Sequence, residues 1–305
     1  MSQWTVADAP DQSGRVAVVT GANSGLGYEV TKGLADLGAE VVMACRSIDR
    51  GESARRDLER EVPGASLSVL ELDLADLDSV AAFADAFREA HDDLHLLVNN
   101  AGVMALPRRE TADGFEMQFG TNHLGHFALT GHLLPAIEGA DEPRVATMSS
   151  GIHERGHIDF DDLQRERDYD KWAAYGQSKL ANLLFAYELD RRADAVLSVG
   201  AHPGYAATNL QTAGPEMAGS TVRKVAMEAA NAVFAQDADD GALPMLYALT
   251  MPDVRGGEYY GPGGFMGMRG GPERQRSSER SYDRETARRL WAVSEDLTGV
   301  SYLSR

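Results

Sequence analysis

The chain has almost no cysteine and very little lysine. Cys45 is the single thiol of its 305 residues, so no internal disulfide forms, and a reducing compartment such as the cytoplasm is the expected setting. No apolar run is long enough to span a membrane, which argues against a membrane anchor. Met1 to Gly14 lacks a basic-then-apolar signal pattern and reads as a loose leader. The 29 basic residues include only four lysines, Lys32, Lys171, Lys179 and Lys224, and the formal net charge is −18. Such a chain repels nucleic acid and anionic membranes. An acidic, lysine-poor surface suits a salt-rich cytoplasm, although a GC-rich genome would also favour arginine. There is no internal repeat and no clear linker. What remains is ample material for one large core, with 43% hydrophobic residues.

The organising stretch is Arg15 to Gly27. Val16, Ala17, Val18 and Val19 form a short β-branched run that reads as a strand buried on both faces. Gly21, Gly25 and Gly27 follow, and a helical apolar pattern then runs to Leu37. A strand entering a helix through glycines lets backbone approach a ligand and offers free N–H groups to a phosphate. The spacing is Thr-Gly-x-x-x-Gly-x-Gly rather than Gly-x-Gly-x-x-Gly. The pattern repeats along the chain. Strands are expected at 15–20, 40–44, 67–72, 94–98, 145–148, 196–201 and 258–260. Helices are expected at 25–37, 49–61, 76–90, 113–137, 171–193, 219–235, 239–250 and 286–298. Residues 151–168 read as a polar loop, and 261–275 as a Gly, Pro and Met-rich segment without periodicity. The alternation predicts an α/β fold: a single-domain, Rossmann-type, doubly wound parallel sheet with helices on both faces, over 15–262. Residues 263–305 would add a loop and a terminal helix to the same domain.

Several polar residues stand where such sheets bind ligands, at strand carboxyl ends. Asn99-Asn100-Ala101-Gly102 ends the fourth strand, where small residues let a flat ring or ribose pack on backbone. Asn122 is polar inside an otherwise apolar helix. Ser149 and Ser150 end the fifth strand. Tyr175 and Lys179 lie four apart, on one face of a predicted helix. An ammonium beside a phenol lowers its pKa from ~10 toward working pH, where it moves a proton to or from a carbonyl or alcohol oxygen.

The set Thr20 to Gly27, Asn99 to Gly102, Asn122, Ser150, Tyr175-x-x-x-Lys179 and Pro203-Gly204 resembles the short-chain dehydrogenase/reductase family in identity, order and spacing, over about residues 12–262. Phe119 to Phe127, Tyr175 to Asn182 and Ala201 to Tyr205 are similar to its retinol-dehydrogenase-like and WW-domain-oxidoreductase-like branch. The resemblance implies an oxidoreductase acting on an alcohol, aldehyde or ketone. It makes Tyr175 the general acid/base, Lys179 its tuner and ribose ligand, Ser150 the residue that orients the substrate oxygen, and Asn122 the holder of a relay water. Gly21, Asn23, Ser24, Gly25, Leu26 and Gly27 would wrap the pyrophosphate. Asp73 and Leu74 would meet the adenine, Asn100, Ala101 and Gly102 the ribose side, and Pro203, Gly204 and Thr208 the nicotinamide. Ser150 and Tyr175 are 25 residues apart, more than the usual family gap, and Ser149 rivals Ser150 for the serine role. Reduction of a ring double bond and a cofactor sensor without turnover are the alternative functions.

The second strand ends in Met43-Ala44-Cys45-Arg46. An NAD enzyme places an acidic side chain where Cys45 stands. Arg46 is instead a planar cation able to grip a phosphate, so NADP(H) is favoured over NAD(H), with Ser47 as a further donor. His153-Glu-Arg-Gly-His157 matches His-Glu-x-x-His, but that pattern binds zinc only on a helix, and here a glycine interrupts it, so no metal is expected. Phe265, Met266 and Met268 would line a greasy substrate mouth, or form a mobile tail or an oligomer contact. Homo-oligomerisation is left open. The charge generates one expectation. Carboxylate repulsion is screened by salt, so the melting temperature rises between dilute buffer and molar KCl. A flat or falling melting curve series would count against halophilic adaptation.

Overall fold

The computed structural model describes residues 4–204, 238–264, 267 and 269–303. The first strand β1 (Val16–Thr20) is followed by α1 (Gly25–Asp36), then β2 (Glu40–Cys45), α2 (Ile48–Glu61), β3 (Ser66–Glu71), α3 (Leu77–Ala90) and β4 (Leu96–Asn99). After a long loop come a single turn α4 (Met117–Phe119), a π-helical turn (Gly120–Leu124) and α5 (Gly125–Gly139). The chain continues through β5 (Arg144–Met148), α6 (Lys171–Arg192), β6 (Leu197–Ala201), α7 (Ala238–Thr250), β7 (Tyr259–Pro262), β8 (Pro272–Gln275) and α8 (Arg284–Thr298). The eight strands form one sheet in the order β3-β2-β1-β4-β5-β6-β7-β8. Every pairing is parallel except β7 with β8. This is the doubly wound α/β fold expected from the alternation of strands and helices.

Each strand sends alternate residues to opposite faces. Ala17 and Val19 join one apolar cluster with Leu34 of α1, Leu58 of α2 and Leu249 of α7. Val18 joins the other with Phe87 of α3, Phe127 of α5, Phe185 of α6 and Trp291 of α8. Because both faces are covered, the central strands read as continuous apolar runs. Several helix starts are capped by side chains. Asp170 accepts from the Trp172 and Ala173 amides at the head of α6, and Asp283 from Glu285 and Thr286 at the head of α8. At the tail of α8, Gly299 takes the left-handed conformation that closes the helix.

Two expectations change. The helix expected over 113–137 begins at Met117, and it switches to π geometry across Gly120–Leu124 before resuming. Its apolar content gave no sign of this because hydrogen-bond register leaves no trace in composition. The segment 261–275 holds β8, whose sequence Pro-Glu-Arg-Gln has no apolar alternation. Backbone pairing to β7 makes it a strand, and an edge position spares it from burial. Trp4, ahead of β1, packs edge-on to Tyr247 of α7, at 5.3 Å between ring centres. The helix expected at 219–235 lies outside the described residues, as do Phe265, Met266 and Met268.

Trp291 anchors α8 to the body. Its ring meets Phe127 edge-on at 5.0 Å and stacks on Phe185 at 5.8 Å, and the Arg192 guanidinium lies over it at 4.6 Å. Truncation leaves a cavity the neighbours cannot fill. Trp291→Ala is expected to cost about 3–5 kcal/mol in urea unfolding. A loss below about 1 kcal/mol would mean that α8 docks by other contacts.

Candidate active site

The chain leaves β1 toward β2 and β3, then returns to β4 on the other side of β1. The loops that follow β1 and β4 therefore leave toward opposite faces and open a crevice between them. Thr20 holds its floor. Its hydroxyl accepts from the amides of Asn100 and Ala101, both at 2.9 Å, and its carbonyl accepts from the Asn100 side chain at 2.8 Å. Gly21 then turns with φ +69°, and a Cβ there would lie 3.1 Å from that of Ala101. Gly27 is tighter: a Cβ would sit 2.3 Å from the Gly21 carbonyl oxygen. Ser24, at the head of α1, makes no side-chain cap, which leaves the first N–H groups of the helix facing the crevice.

The crevice has a volume of about 760 Å³. It is lined by Gly21, Asn23, Ser24, Gly25, Leu26, Gly27, Arg46, Asp73, Leu74, Asn100, Ala101, Gly102, Ser150, Tyr175, Lys179, Pro203 and Gly204. Every cofactor-side residue expected from the sequence lines it except Thr208, which lies outside the described residues. Arg46 and Arg50 are both exposed on its wall, and neither guanidinium has an ion-pair partner among the described residues. Arg50 went unnoticed in the sequence, although it sits in the first turn of α2, one turn past Ser47, whose hydroxyl accepts from the Arg50 amide. Met104, Ile152 and Trp172 line the crevice as well. The Trp172 ring is 6.4 Å from that of Tyr175 and 46% exposed.

Tyr175, Lys179 and Ser150 converge at the far end. Tyr175 and Lys179 sit on α6, whose residues from Ala174 to Leu189 are all buried. The Lys179 ammonium donates to the Met148 carbonyl at 3.1 Å and lies 5.8 Å from the centre of the Tyr175 ring. Spacing alone points to a phenol lowered by its lysine. In the structure, burial pushes the Tyr175 phenol up, to about 12, and a hydrogen bond with Ser150 pulls against it. Burial also pushes the Lys179 ammonium down, to about 8. Desolvation is the leading cause at both groups. The two serines separate by partner: the buried Ser149 hydroxyl donates to the Lys179 carbonyl at 2.9 Å, so Ser150 is the serine that meets Tyr175.

Asn122 lies behind the crevice rather than on its wall. Its side chain accepts from the Val103 amide at 2.8 Å and donates to the Val103 carbonyl at 2.9 Å and the Ser178 hydroxyl at 3.0 Å. The π turn carries it, a geometry that recurs at functional sites. His126, four residues on, has one ring nitrogen 3.0 Å from the Asn122 carbonyl and the other 3.0 Å from the Thr20 hydroxyl. Burial pushes its pKa down to about 4, so it stays neutral. It too was missed, although it shares a helix face with Asn122. In the His153-x-x-x-His157 pair, His153 is buried and His157 exposed. Among the described residues no group of three or more His, Cys, Asp or Glu side chains could hold a metal ion.

Comparison with known proteins gives a consistent answer. A family model described as short chain dehydrogenase matches residues 15–218. Human retinol dehydrogenase 14 is 38% identical over 304 residues, covering 94% of this chain and 87% of that protein. A solved structure of an uncharacterized protein from Mycobacterium Paratuberculosis is 42% identical, with a TM-score of 0.81 over 99% of both chains. The Pseudomonas aeruginosa RhlG/NADP complex shares the fold at 21% identity, with a TM-score of 0.64 over 82% of this chain and 94% of that one.

The buried lysine carries a stability consequence. Unfolded, Lys179 holds its proton up to an ordinary 10.5; folded, it releases it near 8. Between those values the unfolded chain binds more protons, so wild-type stability rises with pH. Below pH 8 the full penalty stands, about 3 kcal/mol. Lys179→Met is expected to be more stable than wild type at pH 7, with the gap closing between pH 8 and 10.5. The Met148 carbonyl stays paired through the Asn182 side chain at 2.9 Å. Urea titrations across that range check it, and a gap independent of pH would contradict the buried charge.

Proposed function

The chain belongs to the short-chain dehydrogenase family, in its retinol-dehydrogenase-like branch, and from that premise we propose that it moves a hydride between NADP(H) and a small alcohol, aldehyde or ketone, with Tyr175 as general acid and base. The observation that carries the reading is the layout of one crevice. Tyr175, Ser150 and Lys179 line it together with a glycine turn and two arginines, Arg46 and Arg50, that have no ion-pair partner among the described residues.

The family binds NAD(P), and the residues present fit such a group. The uncapped head of α1 and the close approach of Gly27 to Gly21 make a cradle for a pyrophosphate. When bound, the nicotinamide supplies or takes the hydride. The chain supplies the proton and the geometry. Tyr175 gives its proton to a carbonyl oxygen in reduction, or takes it from an alcohol in oxidation. Ser150 holds the same oxygen. Lys179, poised near 8, supports the phenolate and offers a ribose contact. Asn122 spends its side chain bracing Val103 and Ser178, so a relay water would rest on lone pairs those bonds leave over.

The strand end argues for NADP(H). Cys45 is buried, and burial pushes its thiol up to about 11, so no anion stands at the position that would repel a 2′-phosphate. Arg46 and Arg50 offer two exposed guanidinium groups there instead. A reducing compartment such as the cytoplasm fits the single buried, free cysteine. No helix among the described residues is long and apolar enough to cross a membrane.

Steady-state assays with a panel of aldehydes, ketones and retinoids test the reading. NADPH is expected to outperform NADH. Arg46→Ala should lower that preference about tenfold or more, the scale of one or two charge-assisted hydrogen bonds. Tyr175→Phe should abolish turnover and leave cofactor binding intact. A folded Tyr175→Phe enzyme with near-normal turnover would overturn the mechanism; a preference for NADH would overturn the cofactor assignment.

A further inference from the structure

His153 is a buried imidazole that the catalytic scheme leaves without a task. It sits in the short 3-10 turn Gly151–Arg155 that begins immediately after Ser150. The Ser150 carbonyl accepts twice from this one residue, from the His153 amide at 2.9 Å and from ring Nδ1 at 2.7 Å. The other ring nitrogen, Nε2, accepts from the Ser278 amide at 3.1 Å. A carbonyl only accepts and an amide N–H only donates, so the two partners dictate one tautomer: Nδ1 carries the proton and Nε2 is bare. A doubly protonated ring would aim an N–H at the N–H of Ser278. Burial pushes the His153 pKa down, which keeps the ring neutral.

The surroundings fix the ring as well. Tyr259 of β7 meets it edge-on at 5.5 Å, and His202, at the end of β6, stacks on Tyr259 from 5.1 Å. The His202 ring is itself held by Gln275 of β8 at 2.9 Å. The Arg280 guanidinium donates to the Gly156 carbonyl at 2.9 Å, tying the same turn to the segment after β8 a second time.

We propose that His153 is a positioning residue for Ser150: its Nδ1–H holds the Ser150 carbonyl and so sets the direction of the Ser150 hydroxyl toward Tyr175, while the Ser278 amide on Nε2 keeps the ring in the tautomer that makes this bond. This rests on the catalytic reading of Ser150 and Tyr175 above. The clamp acts through main-chain geometry. With its carbonyl held at two points, Ser150 cannot rotate its peptide plane, and its side chain keeps one bearing on the phenol. Misplacement of a catalytic group by a fraction of an ångström is costly to rate and cheap in binding.

Two substitutions divide the clamp. In His153→Asn the amide nitrogen reaches the place of Nδ1, so the bond to Ser150 survives and that to Ser278 is lost. In His153→Gln the amide end reaches the place of Nε2, so the bond to Ser278 survives and the ring bond to Ser150 is lost. His153→Asn is expected to retain kcat within about threefold, whereas His153→Gln loses about tenfold in kcat with KM for NADPH unchanged. A merely structural histidine would lower the melting temperature of both and leave kcat per folded enzyme alike. Equal kcat in the two variants therefore overturns the proposal. Nitrogen-15 spectra of the histidine rings in the wild-type chain, assigned with His153→Asn, read the clamp without turnover. The Nδ1–H tautomer is expected, and an Nε2–H tautomer overturns the proposal. Absence of turnover in the wild type, with the expected tautomer, would reject the catalytic reading and leave the clamp itself standing.

Discussion

The site depends on the parallel pairing of β1 with β4. Those two strands are neighbours in the sheet but far apart in the chain, with two strand–helix units between them. Their helices leave toward opposite faces, and the crevice lies between the loops that follow the two strands. Thr20 turns this topological gap into a fixed shape. One hydroxyl, fully buried, receives two backbone amides from the β4 end and faces the His126 ring. Through His126 the same point reaches the π turn that carries Asn122, and through Asn122 it reaches Val103 and Ser178. The floor of the crevice and the helix behind it are thus one hydrogen-bonded unit. In an interior of low dielectric such a network is stabilising only when each member is paired.

Desolvation dominates at Tyr175 and Lys179. A tyrosine and a lysine on one face of a buried helix are both removed from water, and each is pushed toward its neutral form. The folded chain bears that cost where ordinary packing would have placed apolar side chains. The same burial acts oppositely on the two: it brings Lys179 toward neutral pH and moves Tyr175 away from it. The two serines differ by partner: Ser149 donates to the Lys179 carbonyl, while Ser150 hydrogen-bonds to Tyr175.

The carboxyl-terminal third closes the site from outside. β8 pairs with β7 by backbone alone. The chain beyond it reaches back to the turn after Ser150 through Ser278 and Arg280. α8 then packs its one apolar face, with Leu290 and Trp291, onto α5 and α6. Residues more than a hundred positions from Ser150 therefore shape its surroundings.

Much was legible in the sequence because its causes are local. Strands buried on both faces must be apolar throughout, so Ala17 to Val19 and Leu96 to Val98 announce themselves. Close backbone approach admits only glycine, so Gly21 and Gly27 mark the cradle, and a four-residue spacing puts Tyr175 and Lys179 on one helix face. The doubly wound order follows from the alternation. Other features arise from contacts between distant segments, which leave no local pattern. The π register at Asn122 depends on how that helix meets Val103 and α6. β8 is a strand only because β7 lies beside it. The tautomer of His153 is set by Ser150 on one side and Ser278 on the other, 125 positions away along the chain. The direction of the Tyr175 pKa is the clearest case: spacing supplies the nearby lysine, but only the packed fold decides how much water is excluded, and there burial raises the phenol against the pull of the Ser150 hydrogen bond.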